Sequence, residues 1–254
     1  MGIDMSAAKR ESARVAIVTG ASKGIGQAIA ERLARDGLNV CVNYAGDLDG
    51  AQETARRIEA GGGSALVVGT SVANAAGVEG MFAQAMSRFG RIDVVVSNAG
   101  INNSPTPIAD LEEADFERIM ETNAKGSFLV MREAARRLGE FGRVICITTS
   151  MCVAPRPGFG VYTASKAAVE GMMKVLAREL ATKQITVNAV SPGPIESPML
   201  RRGKTEAQLT QIAALSPMNR VGTLEEVANV VSFLASPEAS WITGQVVHAN
   251  GGLF

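Results

Sequence analysis

VAIVTGASKGIGQAIAERLA, residues 15–34, decides the architecture. It begins with VAIV, four apolar residues rich in β-branched types, which read as a short strand buried on both faces. Glycines at 20, 24 and 26, spaced G-x-x-x-G-x-G, then lead straight into a stretch with helical apolar periodicity. Strand, glycine turn and helix in that order leave backbone amides unobstructed by Cβ atoms at a positive helix N-terminus. That is where a pyrophosphate sits. The loop Gly20, Ser22, Lys23, Gly24, Ile25, Gly26 is therefore a candidate dinucleotide cradle.

The pattern repeats along the chain. Strand-like runs VAIVT (15–19), NVCVNY (39–44), ALVV (65–68), IDVVVS (92–97), RVICITT (143–149), ITVNAV (185–190) and GQVVHA (244–249) alternate with helix-like segments. Those segments lie at 24–36, 51–60, 77–89, 112–138, 162–182 and 224–235. Continuous apolar strands alternating with helices predict an α/β fold, a doubly wound parallel seven-stranded sheet with helices on both faces. No linker or repeat divides residues 14–254, so they are expected to form a single domain. The second methionine in MGIDMSAAKR marks residues 1–13 as a flexible leader. The proline-rich stretch 193–222 is the least regular and is the candidate lid.

Composition narrows the function. Lys plus Arg (25) equals Asp plus Glu (25), so no basic field invites nucleic acid or an anionic membrane. No apolar run reaches membrane-spanning length, and the polar N-terminus lacks a signal-peptide core. Cys41, Cys146 and Cys152 are unpaired by spacing, and the first two lie in apolar runs, which suits reduced thiols in a cytoplasmic protein. With His248 as its one histidine, the chain offers neither a zinc site nor a histidine-based triad.

Proton chemistry must then come from elsewhere, and VYTASKAAVE (161–170) supplies a candidate. Tyr162 and Lys166, four apart, share a helix face. A phenol titrates near 10, and bringing it to about 7 takes roughly 4 kcal/mol. An ammonium about 4 Å away at an effective dielectric near 20 supplies a term of that size. Lys166 is thus expected to lower the Tyr162 pKa.

With the glycine loop, NAG (98–100), YTASK (162–166) and SPGPI (191–195) in this order, the chain resembles the classical short-chain dehydrogenases/reductases. NYAGDLDGAQ and WITGQVVHANGG look most like the 3-oxoacyl-[acyl-carrier-protein] reductase branch. The resemblance implies a Rossmann fold and reversible hydride transfer between a nicotinamide cofactor and a carbonyl/alcohol pair. Tyr162 would be the acid/base, Lys166 its tuner, and Asn123 the bend in a helix that holds a relay water. The hydroxyl that steadies the carbonyl oxygen usually stands thirteen positions before the tyrosine. Thr149 occupies that place and Ser150 the next, so both are candidates, Thr149 first by position. The resemblance also places Asn98, Ala99 and Gly100 along the cofactor, and Pro192, Gly193 and Ile195 around the nicotinamide carboxamide. Ser197 stands where relatives usually have threonine. Ser71–Val72 replaces the Asp-apolar pair that commonly holds the adenine.

An NAD site usually ends its second strand in an acid that takes the ribose hydroxyls. Here Asn43 and Tyr44 stand there, and Lys23 occupies a position where NADP-dependent relatives keep a base. NADP(H) is therefore expected over NAD(H). The expected partner is a small-molecule ketone, aldehyde or alcohol. Alternatives are an NAD(P)-dependent alcohol, sugar or steroid dehydrogenase, or a non-catalytic dinucleotide sensor. Family analogy implies a homotetramer or homodimer. Met151, Cys152, Pro155, Pro157 and Phe159 suggest an apolar substrate wall, and Arg201, Arg202 and Lys204 either an anionic-carrier contact or a solvated face.

Overall fold

The computed structural model describes residues 13–201 and 203–254, so all but the last residue of the expected leader, and Arg202, lie outside the described residues. The strands are β1 (Val15–Val18), β2 (Asn39–Tyr44), β3 (Ala65–Gly69), β4 (Val94–Ser97), β5 (Arg143–Ile147), β6 (Thr186–Pro192) and β7 (Val246–Ala249). All join one parallel sheet in the order β3-β2-β1-β4-β5-β6-β7. The helices are α1 (Gly24–Arg35), α2 (Leu48–Ala60), α3 (Ala75–Phe89), α4 (Glu113–Met120), α5 (Gly126–Arg137), α6 (Gly160–Glu179), α7 (Pro198–Arg201), α8 (Glu206–Ala213) and α9 (Leu224–Ala235). This is the doubly wound Rossmann architecture that the strand–helix alternation predicts.

Side-chain alternation along each strand feeds two cores. From β1, Ile17 joins Cys41, Phe82, Val95, Val144 and Met173 on the face covered by α3, α5 and α6. Its neighbours Ala16 and Val18 join Ile29, Leu33, Val42, Ile145 and Val231 under α1 and α9. Period-two alternation from a strand buried on both sides requires this division. The expectation of full burial holds for β1, β4, β5 and β6, while β3 and β7, at the sheet edges, are only partly covered. Among the described residues no helix is long and apolar enough to cross a membrane. Burial pushes the Cys41 and Cys146 thiols up to about 12, so both are inert core groups.

Two expectations are refined. The segment 112–138 is helical from Glu113 to Arg137, but a π turn, Glu121–Lys125, joins α4 to α5, and the backbone stays right-handed helical through both junctions. The stretch 193–222 is more regular than its prolines suggest, because it holds α7 and α8, the latter closed by a Thr205–Gln208 capping box.

The strand order positions the site. The chain runs outward from β1 to β3, then returns to lay β4 on the other side of β1. The connections leaving β1 and β4 diverge, and a crevice opens at the carboxyl ends of these strands.

Candidate active site

Gly20, in the turn after β1, sits at φ +63°, and a Cβ there would lie 2.9 Å from the Ala99 Cα. A Cβ on Gly26 would run into the Gly20 carbonyl oxygen and the Asn98 amide nitrogen. Only glycine at both positions lets the start of α1 abut the loop after β4. That contact is pinned by a residue that the sequence reading passed over. The Thr19 hydroxyl accepts from the amides of Asn98 (3.0 Å) and Ala99 (3.1 Å). Asn98 Nδ2 donates to the carbonyls of Thr19 (2.8 Å) and Gly20 (3.1 Å). Asn98 is thus a brace for the cradle. Ser22 is buried, Ile25 packs on the core beneath the helix, and Gly24 opens α1. Among the described residues no side chain caps this N-terminus, and no acid lies in its first turn. The cradle fits a dinucleotide pyrophosphate, which would take its positive end and its amides.

At the end of β2 the side chains diverge from expectation. Asn43 is buried, its Oδ1 accepts from the Gly20 amide (3.3 Å), and its Nδ2 donates to the carbonyls of Val68 (3.2 Å) and Thr70 (3.0 Å). It ties the glycine loop to the end of β3 and faces inward instead of toward a ribose. The Tyr44 ring lies over Gly69. Ser71 is exposed and accepts from the Ala73 amide (3.3 Å), whereas Val72 is buried against Gly126 at the start of α5. Val72 is therefore a packing residue. Lys23 is not free: its Nζ lies 2.8 Å from Asp47 Oδ2. Asp47 also caps α2 by accepting from the Gly50 amide (3.1 Å).

At the catalytic end, α6 places Tyr162 and Lys166 one turn apart. The Thr149 hydroxyl stands close enough to the Tyr162 phenol to favour its ionised form, and Thr149 Oγ1 accepts from the Met151 amide (3.4 Å). Ser150, equally buried, opens the 3-10 turn Ser150–Cys152. Of the two candidate hydroxyls, Thr149 is the one that meets the tyrosine. Cys152 follows in the same turn, its Sγ 3.9 Å from the Thr163 carbonyl.

Lys166 is buried, and its Nζ donates to the Ile147 carbonyl at the end of β5 (2.8 Å). The same Nζ lies 3.1 Å from where a Cβ on Gly100 would stand, so the backbone after β4 closes over it. The expected lowering of the tyrosine is overturned. Burial pushes Tyr162 up to about 12, only partly offset by the Thr149 hydroxyl. Burial also draws Lys166 down to about 8. Desolvation penalises both charged forms, and here it outweighs the attraction that the i, i+4 spacing suggests.

Asn123 sits in the π turn, fully buried. Its Oδ1 accepts from the Ile101 amide (2.8 Å), and its Nδ2 donates to the Ile101 carbonyl (2.8 Å) and to Ser165 Oγ (2.9 Å). Ser165 in turn donates to the Tyr162 carbonyl (2.7 Å). Both amide protons are spent on protein acceptors, so the side chain locks the loop after β4 to the catalytic helix. Ser165, inside YTASK, is a member of this network that spacing alone did not single out.

Pro192 ends β6 and is buried. Gly193 donates to the Ala249 carbonyl (2.9 Å), Ile195 is buried and bridges to Gly222, and Ser197 caps α7 by accepting from the Leu200 amide (3.2 Å). Beyond them Arg201 pairs with Glu196 and Glu206.

A family model described as enoyl-(acyl carrier protein) reductase matches residues 20–254. A short-chain type dehydrogenase/reductase of Picea abies is 43% identical over 248 residues, covering 94% of this chain and 92% of its own. The 3-oxoacyl-[acyl-carrier-protein] reductase FabG of Staphylococcus aureus is 41% identical over 244 residues, covering 94% and 97%. Among solved structures, the angucycline C-6 ketoreductase LanV with bound NADP superposes with a TM-score of 0.89 at 34% identity, covering 94% of this chain and 95% of that one. With the glycine cradle, the Tyr162–Lys166 helix and the seven-stranded sheet in one chain, the protein belongs to the classical short-chain dehydrogenases/reductases, a family of oxidoreductases that bind a nicotinamide dinucleotide.

Proposed function

We propose that the protein is an NADP(H)-dependent ketoreductase that uses Tyr162 as its proton donor. The observation that carries this reading is that Thr149, Tyr162 and Lys166 come together, Lys166 on the Ile147 carbonyl, at the end of the sheet where the glycine cradle opens. When bound, the reduced nicotinamide supplies a hydride to the carbonyl carbon. Tyr162 donates its proton to the carbonyl oxygen. Thr149 donates to the same oxygen as charge grows there. Lys166, fixed on the Ile147 carbonyl, places positive charge beside the developing alkoxide and, as in the family, bonds the nicotinamide ribose. The lock of Asn123 on Ser165 and Ile101 keeps these groups in register.

Burial keeps the Tyr162 phenol protonated through neutral pH, the state that a proton donor in ketone reduction requires. NADP(H) is favoured by Lys23 at the cradle and by the lack of an acid at the end of β2, and the NADP in LanV is consistent with it. The substrates we propose are ketones on acyl or cyclic frames, facing Met151, Cys152 and Phe159. By family analogy the chain assembles as a homotetramer through α5 and α6, whose exposed Phe128 and Val175 would be covered. The deciding experiment is a panel of 3-oxoacyl thioesters, cyclic ketones, aldehydes and sugars, with NADPH and NADH consumption followed separately. Turnover of ketones with NADPH is expected. Turnover of none of them, or a clear NADH preference, removes the reading.

A further inference from the structure

We propose that Asp47 is a specificity-determining residue for the nucleotide: it is the counter-charge that limits how strongly Lys23 can select a 2′-phosphate. The inference rests on the NADP(H) reading above and deepens it. Lys23 is the one cation in the glycine loop, and its Nζ lies 2.8 Å from Asp47 Oδ2. The pair is solvent-facing, with side chains 64% and 37% exposed, so an incoming nucleotide can meet both members.

Asp47 is not a wandering surface acid. Its Oδ1 accepts from the Gly50 amide at 3.1 Å as the cap of α2. Gly50 in turn packs so closely that a Cβ there would lie 2.6 Å from the Ser22 carbonyl oxygen and 2.9 Å from both Asp47 oxygens. The carboxylate is therefore fixed against the outer side of the glycine loop. The Lys23 hydrogen bond, more than any other contact, holds its carboxyl below the usual range, so it stays ionised at neutral pH. The other polar candidates nearby are committed: Asn43 bonds the Gly20 amide and the ends of β3, and Tyr44 covers Gly69.

The consequence is electrostatic. Lys23 alone would present one positive charge to a phosphate carrying nearly two negative ones. Lys23 with Asp47 presents none in sum. A phosphate must draw Lys23 off its partner or accept a carboxylate a few ångströms away. An unphosphorylated ribose brings no such repulsion, and its hydroxyls can donate to Asp47. The wild-type site should therefore accept both nucleotides, with a preference for NADP(H) smaller than the lysine by itself would give.

The test is equilibrium binding of NADPH and NADH to the intact protein, followed by the fluorescence of the bound nucleotide. Asp47→Asn removes the charge and keeps a good helix cap, and Asp47→Ser does the same with a shorter side chain. Both should raise the NADPH-to-NADH affinity ratio by about tenfold at low salt, the scale of one unit charge near a surface, and less at 1 M salt. A ratio that stays within about threefold of the parent in both variants, or moves toward NADH, overturns the inference. Lys23→Ala separates the two levels. If it weakens NADPH while the Asp47 variants change nothing, only the role of Asp47 falls. If it leaves NADPH binding unchanged as well, the lysine basis of the NADP(H) reading falls with it.

Discussion

The two ends of the crevice each present a lysine, and the difference between them shows how environment sets chemistry. Lys23, at the nucleotide end, is mostly exposed and ion-paired with Asp47. Lys166, at the catalytic end, is 4% exposed and held by a neutral carbonyl. At the first the charge is kept but balanced, and water screens what remains. At the second the charge is desolvated, and burial draws its pKa down to about 8. One residue type therefore stands as an exposed, paired charge at one end and as a buried, readily titrated group at the other.

The comparison can be broken, most forcefully at the catalytic end. Tyr162→Phe removes the proton donor with little change in volume, and kcat should fall by about a thousandfold while nucleotide affinity stays near the parent's. Stopped-flow turnover with a panel ketone measures it, and near-normal kcat would refute the mechanism. Next in size is Thr149→Val. Loss of an oxyanion donor should cost about a hundredfold in kcat. Ser150→Ala, which leaves Thr149 beside Tyr162, should cost no more than about threefold. A reversal of that order would transfer the oxyanion role to Ser150.

The third test is the pH profile of kcat/KM for ketone reduction. A lysine whose pKa is lowered loses its charge as pH rises through the lowered value. Activity should therefore hold below about 8 and decline above it, by about tenfold for each further unit. Lys166→Met should lie low throughout and lack that limb. A limb that survives in this variant belongs to another group. The smallest effect is at the nucleotide end. Lys23→Ala should weaken NADPH binding by about tenfold or less, because the lysine is already paired, and the loss should shrink with salt. Titration at two ionic strengths reads both features.

Much of this was legible in residue order. The strand runs reappear within two or three residues at each end, since a parallel sheet buried on both faces demands uninterrupted apolar segments. The helix at 224–235 has its expected bounds, set by a Thr223–Glu226 capping box. The Thr205–Gln208 box offered the same kind of signal for α8, but it was hidden among prolines. The turn at 121–125 was not legible as a π turn; within it Asn123 directs its side-chain amide to Ile101 and Ser165, outside its own helix.

The sequence alone determined the sheet, the glycine cradle and the pairing of Tyr162 with Lys166 on one helix face. Each of these follows from local periodicity, from backbone freedom or from a spacing of four. Only the tertiary structure decided that Thr149 meets the phenol, that Asn43 and Val72 turn inward, that Lys23 is neutralised from twenty-four residues away, and that burial overrides attraction at Tyr162. Those outcomes depend on distances between side chains of different elements and on how much water each retains, and neither quantity is encoded in any short stretch of chain.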